Sequence, residues 1–145
     1  MIDLQFMSGG QIDEVTQIEL DSFAVPWSRR DFEQELNNKN AIYIIASEDN
    51  KVIGYAGMWH VVNEGHIVNI AVKTEKRRMG VGTMLMKKLI DIALEKEMIG
   101  LTLEVRMSNA AGQRLYNKFG FKVEGIRRRY YSDTGEDAII MWKYL

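Results

Sequence analysis

Two side chains in the C-terminal half have the types needed for proton transfer, the carboxylate of Glu104 and the phenol of Tyr116. Glu104 lies in Leu101-Thr102-Leu103-Glu104-Val105-Arg106, an alternating run that reads as a strand with Leu101, Leu103 and Val105 on one face and Thr102, Glu104 and Arg106 on the other. Burial there would disfavour the charged carboxylate and raise its pKa toward neutrality, the range of a general base. The competing reading is a salt bridge to Arg106 or Arg127. Tyr116 follows Asn109 by seven residues, two helical turns, so the two share a helix face with Gly112 between them. A glycine there leaves room for a ligand chain, at about 1 kcal/mol in helix propensity. Tyr116 reads equally as an amphipathic core residue whose hydroxyl needs a partner.

A second constellation lies upstream. Ile67 to Val72 is apolar and strand-like, the basic cluster Lys76, Arg77 and Arg78 follows, and Gly80 and Gly82 precede a helix with Val81, Leu85, Leu89, Ile92 and Ala93 on its apolar stripe. Strand, cationic glycine turn and helix start form an anion site. Free backbone N–H groups and the positive dipole end attract a phosphate, and glycines let it approach. The P-loop pattern fails because Thr83, Met84 and Leu85 follow the glycines. The dinucleotide pattern has Leu85 where its third glycine belongs. What remains is R-x-x-G-x-G at Arg77, Gly80 and Gly82, or a glycine-softened helix start beside solvated charge.

These groups need a scaffold. The 145 residues suffice for one domain spanning 1–145, with 27% charged and 46% apolar residues and a net charge of -1. The total charge does not point to nucleic acid, and positive charge gathers only at Lys76–Arg78 and Arg127–Arg129. With no cysteine, disulfides, a thiol nucleophile and cysteine-ligated zinc are excluded, and two histidines are too few for a histidine metal site, so no metal is expected. No signal peptide is visible and no stretch approaches the ~20 apolar residues of a membrane span, so a cytoplasmic protein is expected.

In chain order, a strand at Ile2–Phe6 precedes a helix from about Gln11 to Phe23 carrying Ile12, Val15 and Ile18. A loop holding Pro26 and Trp27 leads to a helix capped by Ser28, with Asp31 in its first turn. Strands at Ile42–Ala46, Val52–Val62 and Ile67–Val72 form an antiparallel meander, and Gly54 and Gly57 mark a bulge or a close neighbour. The helix from about Gly82 to Glu97 crosses over so that the Leu101–Arg106 strand lies parallel beside Ile67–Val72. Ser108 caps the next helix, Gly120 stops it, and Phe121 packs back on Leu115 or Tyr116. Strands at Lys122–Tyr131 and Asp137–Tyr144 close the chain. The fold class is mixed α/β: one largely antiparallel sheet of about seven strands with four helices, in the order β-α-α-β-β-β-α-β-α-β-β.

The combination of R-x-x-G-x-G with L-E-V-R-x-S-N at Leu103–Asn109 and L-Y-x-x-x-G-F at Leu115–Phe121 resembles the GNAT acetyltransferases. G-I-R-R-R-Y-Y at Gly125–Tyr131, E-D-A-I-I-M at Glu136–Met141 and P-W-S at Pro26–Ser28 make the resemblance closest to the ribosomal-protein-alanine N-acetyltransferases. Thr74, Lys76 and Gly112 depart from the family's usual proline, aromatic and alanine. The resemblance implies direct acetyl transfer from acetyl-CoA to the N-terminal amine of a ribosomal protein; the charge balance and the lack of an apolar span leave nucleic acid and membrane out of the expected partners. It implies that the backbone of Arg78, Met79, Gly80, Val81, Gly82 and Thr83 holds the pyrophosphate, Arg77 and Arg78 adding charge. Ile70, Ala71 and Val72 would offer backbone groups to the pantetheine and thioester, and Asn109 would hold the pantetheine arm. Glu104 would act as base, directly or through water, and Tyr116 as acid to the thiolate. Trp27 and Tyr131 would shape the peptide pocket, Tyr131 reading otherwise as an edge-strand aromatic. A small-molecule amine substrate and a non-catalytic CoA-binding module are the alternatives.

Overall fold

A computed structural model describes residues 1–145. Seven strands form one sheet: β1 (Ile2–Phe6), β2 (Ala41–Glu48), β3 (Lys51–Val61), β4 (Glu64–Val72), β5 (Gly100–Arg106), β6 (Lys122–Tyr131) and β7 (Glu136–Tyr144). Four helices accompany them: α1 (Ile12–Ser22), α2 (Arg29–Leu36), α3 (Val81–Glu95) and α4 (Ala110–Lys118). The strand order is β1-β2-β3-β4-β5-β7-β6, and only the β4–β5 pairing is parallel. No helix is long and apolar enough to cross a membrane.

The sheet separates two apolar layers. On one face α3 lays Val81, Leu85, Met86, Leu89, Ile92 and Ala93 against Ile44, Met58, Leu101 and Leu103. On the other, α1 and α2 bury Ile12, Val15, Ile18 and Phe32 against Tyr43, Ile45 and Tyr55. Burying a side chain such as Leu85 or Phe32 contributes about 1.5–3 kcal/mol, so the two layers fix the helices to the sheet. Local signals set the helix ends. Ser28 and Asp31 form a reciprocal capping box at the start of α2. Gly120, at φ +90°, ends α4: its N–H bonds the Asn117 carbonyl and that of Phe121 the Tyr116 carbonyl. The Phe121 ring then packs on Tyr116 at 5.9 Å.

Two local expectations are corrected. Asn109, not Ser108, caps α4, its Oδ1 accepting the Gly112 N–H at 2.9 Å. Ser108 instead gives its N–H to Glu136 Oε2 at 2.6 Å. Gly112 also makes room for that cap, since an added Cβ would stand 2.6 Å from the Asn109 amide, and it lines the cavity described below. Finally, β5 does not run beside Ile67–Val72. Parallel pairing stops after Glu64–Gly100, Gly65–Leu101 and His66–Thr102. A register shift opposite Gly57–Met58 bends β4, and the two strands then diverge.

Candidate functional site

The divergence of β4 from β5 opens a cavity of about 1390 Å³. Ile70, Ala71 and Val72 line it from β4, Glu104 from β5, Arg77, Arg78, Gly80, Val81, Gly82 and Thr83 from the turn into α3, and Asn109 and Tyr116 from α4. Trp27 and Tyr131 stand at it from the α1–α2 loop and the end of β6. Of the residues expected to bind carrier or substrate or to move protons, Met79 alone is not in the wall; its side chain is exposed.

The turn has the physical features of an anion site. Gly80 adopts φ +81° as the N-cap of α3, no side chain caps that end, and no acidic residue lies in its first turn. The first helical bond runs from Met84 N–H to the Gly80 carbonyl, so the N–H groups of Val81, Gly82 and Thr83 have no partner within the helix. A Cβ on Gly80 would meet nothing within 4 Å, so the site is open on that side. An anion at such a terminus gains about 0.3–2 kcal/mol from the dipole. The basic cluster divides its work. Lys76 pairs with Glu48 at 2.8 Å, which raises the lysine pKa and lowers that of the carboxylate. Arg77 turns back to the Val72 carbonyl at 3.0 Å and reaches Ser22 Oγ at 3.4 Å, bracing the turn against β4 and α1. Arg78 holds a left-handed conformation at φ +64°.

At the other end of the gap, Glu104 is mostly buried, its side chain 11% exposed. Its Oε2 meets His66 Nε2 at 2.8 Å and its Oε1 lies 3.5 Å from Arg127 Nε. The predicted salt-bridge partner Arg127 is therefore present, whereas Arg106 pairs with Asp133 and Glu136. His66 was not among the residues selected from the sequence. Its ring packs edge-on to Trp59 at 6.0 Å, and Trp59 is held by Glu35 through its indole N–H at 2.9 Å. Pairing His66 with Glu104 depends on the β4–β5 register, which periodicity alone does not carry. Glu19 was also missed. It is 3% exposed, lines the cavity, and accepts the Trp27 backbone N–H at 2.9 Å. A signal for it existed: Glu19 follows Ile12 by seven residues and Val15 by four, so it falls on the apolar stripe of α1.

Tyr116 is buried, and its pKa is raised, first by that burial and then by Tyr131. The phenol therefore stays protonated at neutral pH. Tyr131 is half-buried, and the Arg106 guanidinium lies 4.0 Å over its ring. Burial raises the Tyr131 pKa and Arg106 opposes the rise. A carboxylate, a neutral phenol and an open helix terminus thus share one cavity, the set required to hold a phosphorylated carrier and move protons beside it.

Comparisons with known proteins agree with this arrangement. A family described as acetyltransferase (GNAT) matches residues 12–121. A Bacillus subtilis (strain 168) protein, provisionally named a ribosomal protein bS18-alanine N-acetyltransferase, is 44% identical over 132 residues, covering 90% of this chain and 87% of that one. The ribosomal protein bS18-alanine N-acetyltransferase of Salmonella typhimurium is 36% identical over 145 residues, covering 97% and 96%. Among solved structures, the ribosomal-protein-S18-alanine N-acetyltransferase from Escherichia coli superposes with a TM-score of 0.92 at 33% identity, covering 99% of this chain and 94% of that one.

Proposed function

Because the chain belongs to the acetyltransferase (GNAT) family, we propose that it moves an acetyl group from acetyl-CoA to the N-terminal α-amine of a protein, the substrate being the N-terminal alanine of a ribosomal protein. The observation that carries this reading is the single cavity joining the uncapped α3 terminus to Glu104 and Tyr116 through the β4–β5 gap. The same names borne by the relatives on which the family assignment rests support the substrate.

The residues fit the carrier. The free N–H groups of Val81, Gly82 and Thr83 receive the diphosphate, with Arg78 beside them. The unpaired side of Ile70–Val72 faces the pantetheine arm, and Asn109 closes the opposite wall. When bound, acetyl-CoA supplies an activated acyl group on a thiol leaving group. Glu104, held by His66, takes the proton that the attacking amine must lose, directly or through a water. Tyr116 keeps its proton and donates it to the departing sulfur. An α-amine suits this modest base: its pKa of roughly 7.7–8.0 against about 10.4 for lysine makes deprotonation at neutral pH about 3.5 kcal/mol easier. Trp27 and Tyr131 border the peptide entrance.

The test is to incubate the protein with acetyl-CoA and a panel of peptides beginning Ala, Ser or Met or carrying an internal Lys. Tandem mass spectrometry then locates the acetyl group. Modification of the α-nitrogen of the Ala peptide is expected; acetylation confined to lysine side chains, or none, overturns the proposal.

A further inference from the structure

Glu19 is the one buried charged side chain of the protein. Three groups donate to it: the Tyr55 hydroxyl and, at 3.2 Å, Asn69 Nδ2 to Oε1, and the Trp27 backbone N–H to Oε2 at 2.9 Å. All three are neutral. Burial, reinforced by the adjacent carboxylate, raises the Tyr55 pKa and keeps that phenol a neutral donor. The other carboxylates of the cavity wall have arginine partners: Glu104 has Arg127, and Asp133 has Arg106. No lysine, arginine or histidine lies within 4.0 Å of Glu19. Beside it, Asn69 Oδ1 is buried with no donor.

An unpaired buried carboxylate costs several kcal/mol in lost hydration, which hydrogen bonds from neutral groups only partly offset. A structural anchor for the Trp27 loop would not require a net charge; a neutral amide could accept the same N–H. The charge has a use if a cation enters the cavity. On the reading above the substrate is an α-amine, and at neutral pH most of it is an ammonium with three N–H donors.

We propose that Glu19, with Asn69 Oδ1 beside it, is the anionic element that recruits the protonated substrate amine into the cavity before Glu104 removes its proton. This rests on the peptide-amine reading and adds to it a second carboxylate with a separate task. Glu104 already has Arg127 at 3.5 Å, whereas Glu19 faces no cationic side chain, and its field acts in a low-dielectric wall. The division predicts a kinetic signature. Recruitment governs KM for the amine; a carboxylate beside the ammonium also favours its protonated form, so removing the charge should not lower kcat at saturation.

The experiment compares two ligands by calorimetry with the intact protein: the peptide acetylated in the panel above, beginning with alanine, and its counterpart with an N-terminal propionyl group, which lacks only the amine. Wild type is expected to favour the amine-bearing peptide by about tenfold or more. Glu19→Gln should lose most of that preference, bind the propionyl peptide as wild type does, and show its kinetic loss as a raised KM for the peptide without a fall in kcat. Tyr55→Phe, which removes a donor but leaves the charge, should retain the preference. Equal weakening of both peptides in Glu19→Gln overturns the proposal and leaves the carboxylate a loop anchor. Full preference in that variant also overturns it, and so does a wild type that binds both peptides equally, a result that needs no variant to fold. Failure of the peptide-amine reading itself is separate, since no N-terminus would then be acetylated in the panel.

Discussion

His66 Nε2 lies 2.8 Å from Glu104 Oε2, at the last point where β4 and β5 still pair. The contact holds the carboxylate at the inner end of the gap, while Arg127 reaches its other oxygen from the outermost strand. If Glu104 is the base and His66 holds it, the two substitutions should differ in size. Glu104→Gln should lower kcat by about 10²–10³-fold and change the acidic limb of the pH–rate profile. His66→Ala should cost about tenfold with that limb retained. Steady-state rates from pH 5 to 9 decide between them; a loss in His66→Ala matching that of Glu104→Gln would make the imidazole itself the base.

The raised pKa of Tyr116 gives a second expectation with a definite sign. If Tyr116 is the acid, it acts in its protonated form, and the raised pKa extends the active range upward. Activity should therefore persist through pH 10, where an ordinary phenol is half ionised. Tyr116→Phe should reduce kcat by about 10²-fold with the Kd for acetyl-CoA unchanged, measured by single-turnover kinetics and calorimetry.

Glu136 predicts a pH-dependent stability. Hydrogen bonds from Ser108, and then Arg106, hold its pKa below the ordinary carboxylate value. Its folded pKa lies below the unfolded one, so its contribution is complete above the unfolded value, near 4.3, and disappears as pH falls through the folded value. The Tm of wild type should fall more steeply than that of Glu136→Gln as pH drops from about 5 to 3. Parallel curves from scanning calorimetry would remove Glu136 from the acid response.

Much of this molecule was legible from local chemistry. Ser28 with Asp31, and Gly120 with Phe121, are short-range devices whose partners lie within a few residues, and each folds as its spacing predicts. The alternation of Leu101, Leu103 and Val105 against Thr102, Glu104 and Arg106 likewise gave the buried side of β5. What sequence spacing did not carry was contact between residues far apart in the chain. His66 finds Glu104 across 38 positions through a parallel pairing of only three residue pairs. Glu19 finds Asn69 across 50. The α4 cap failed for a different reason: Ser108 and Asn109 are both good caps, and Glu136 takes the Ser108 N–H while Asn109 turns to Gly112.

The short parallel pairing has a mechanical consequence. Between β4 and β5 the strand ladder is limited to Glu64–Gly100, Gly65–Leu101 and His66–Thr102, with the His66–Glu104 contact and the shared apolar layer under α3 completing the join. A molecule that binds in the gap would touch both halves, β4 and the α3 turn on one side and β5 and α4 on the other. Its affinity for the folded state would then be read as a rise in Tm with its concentration.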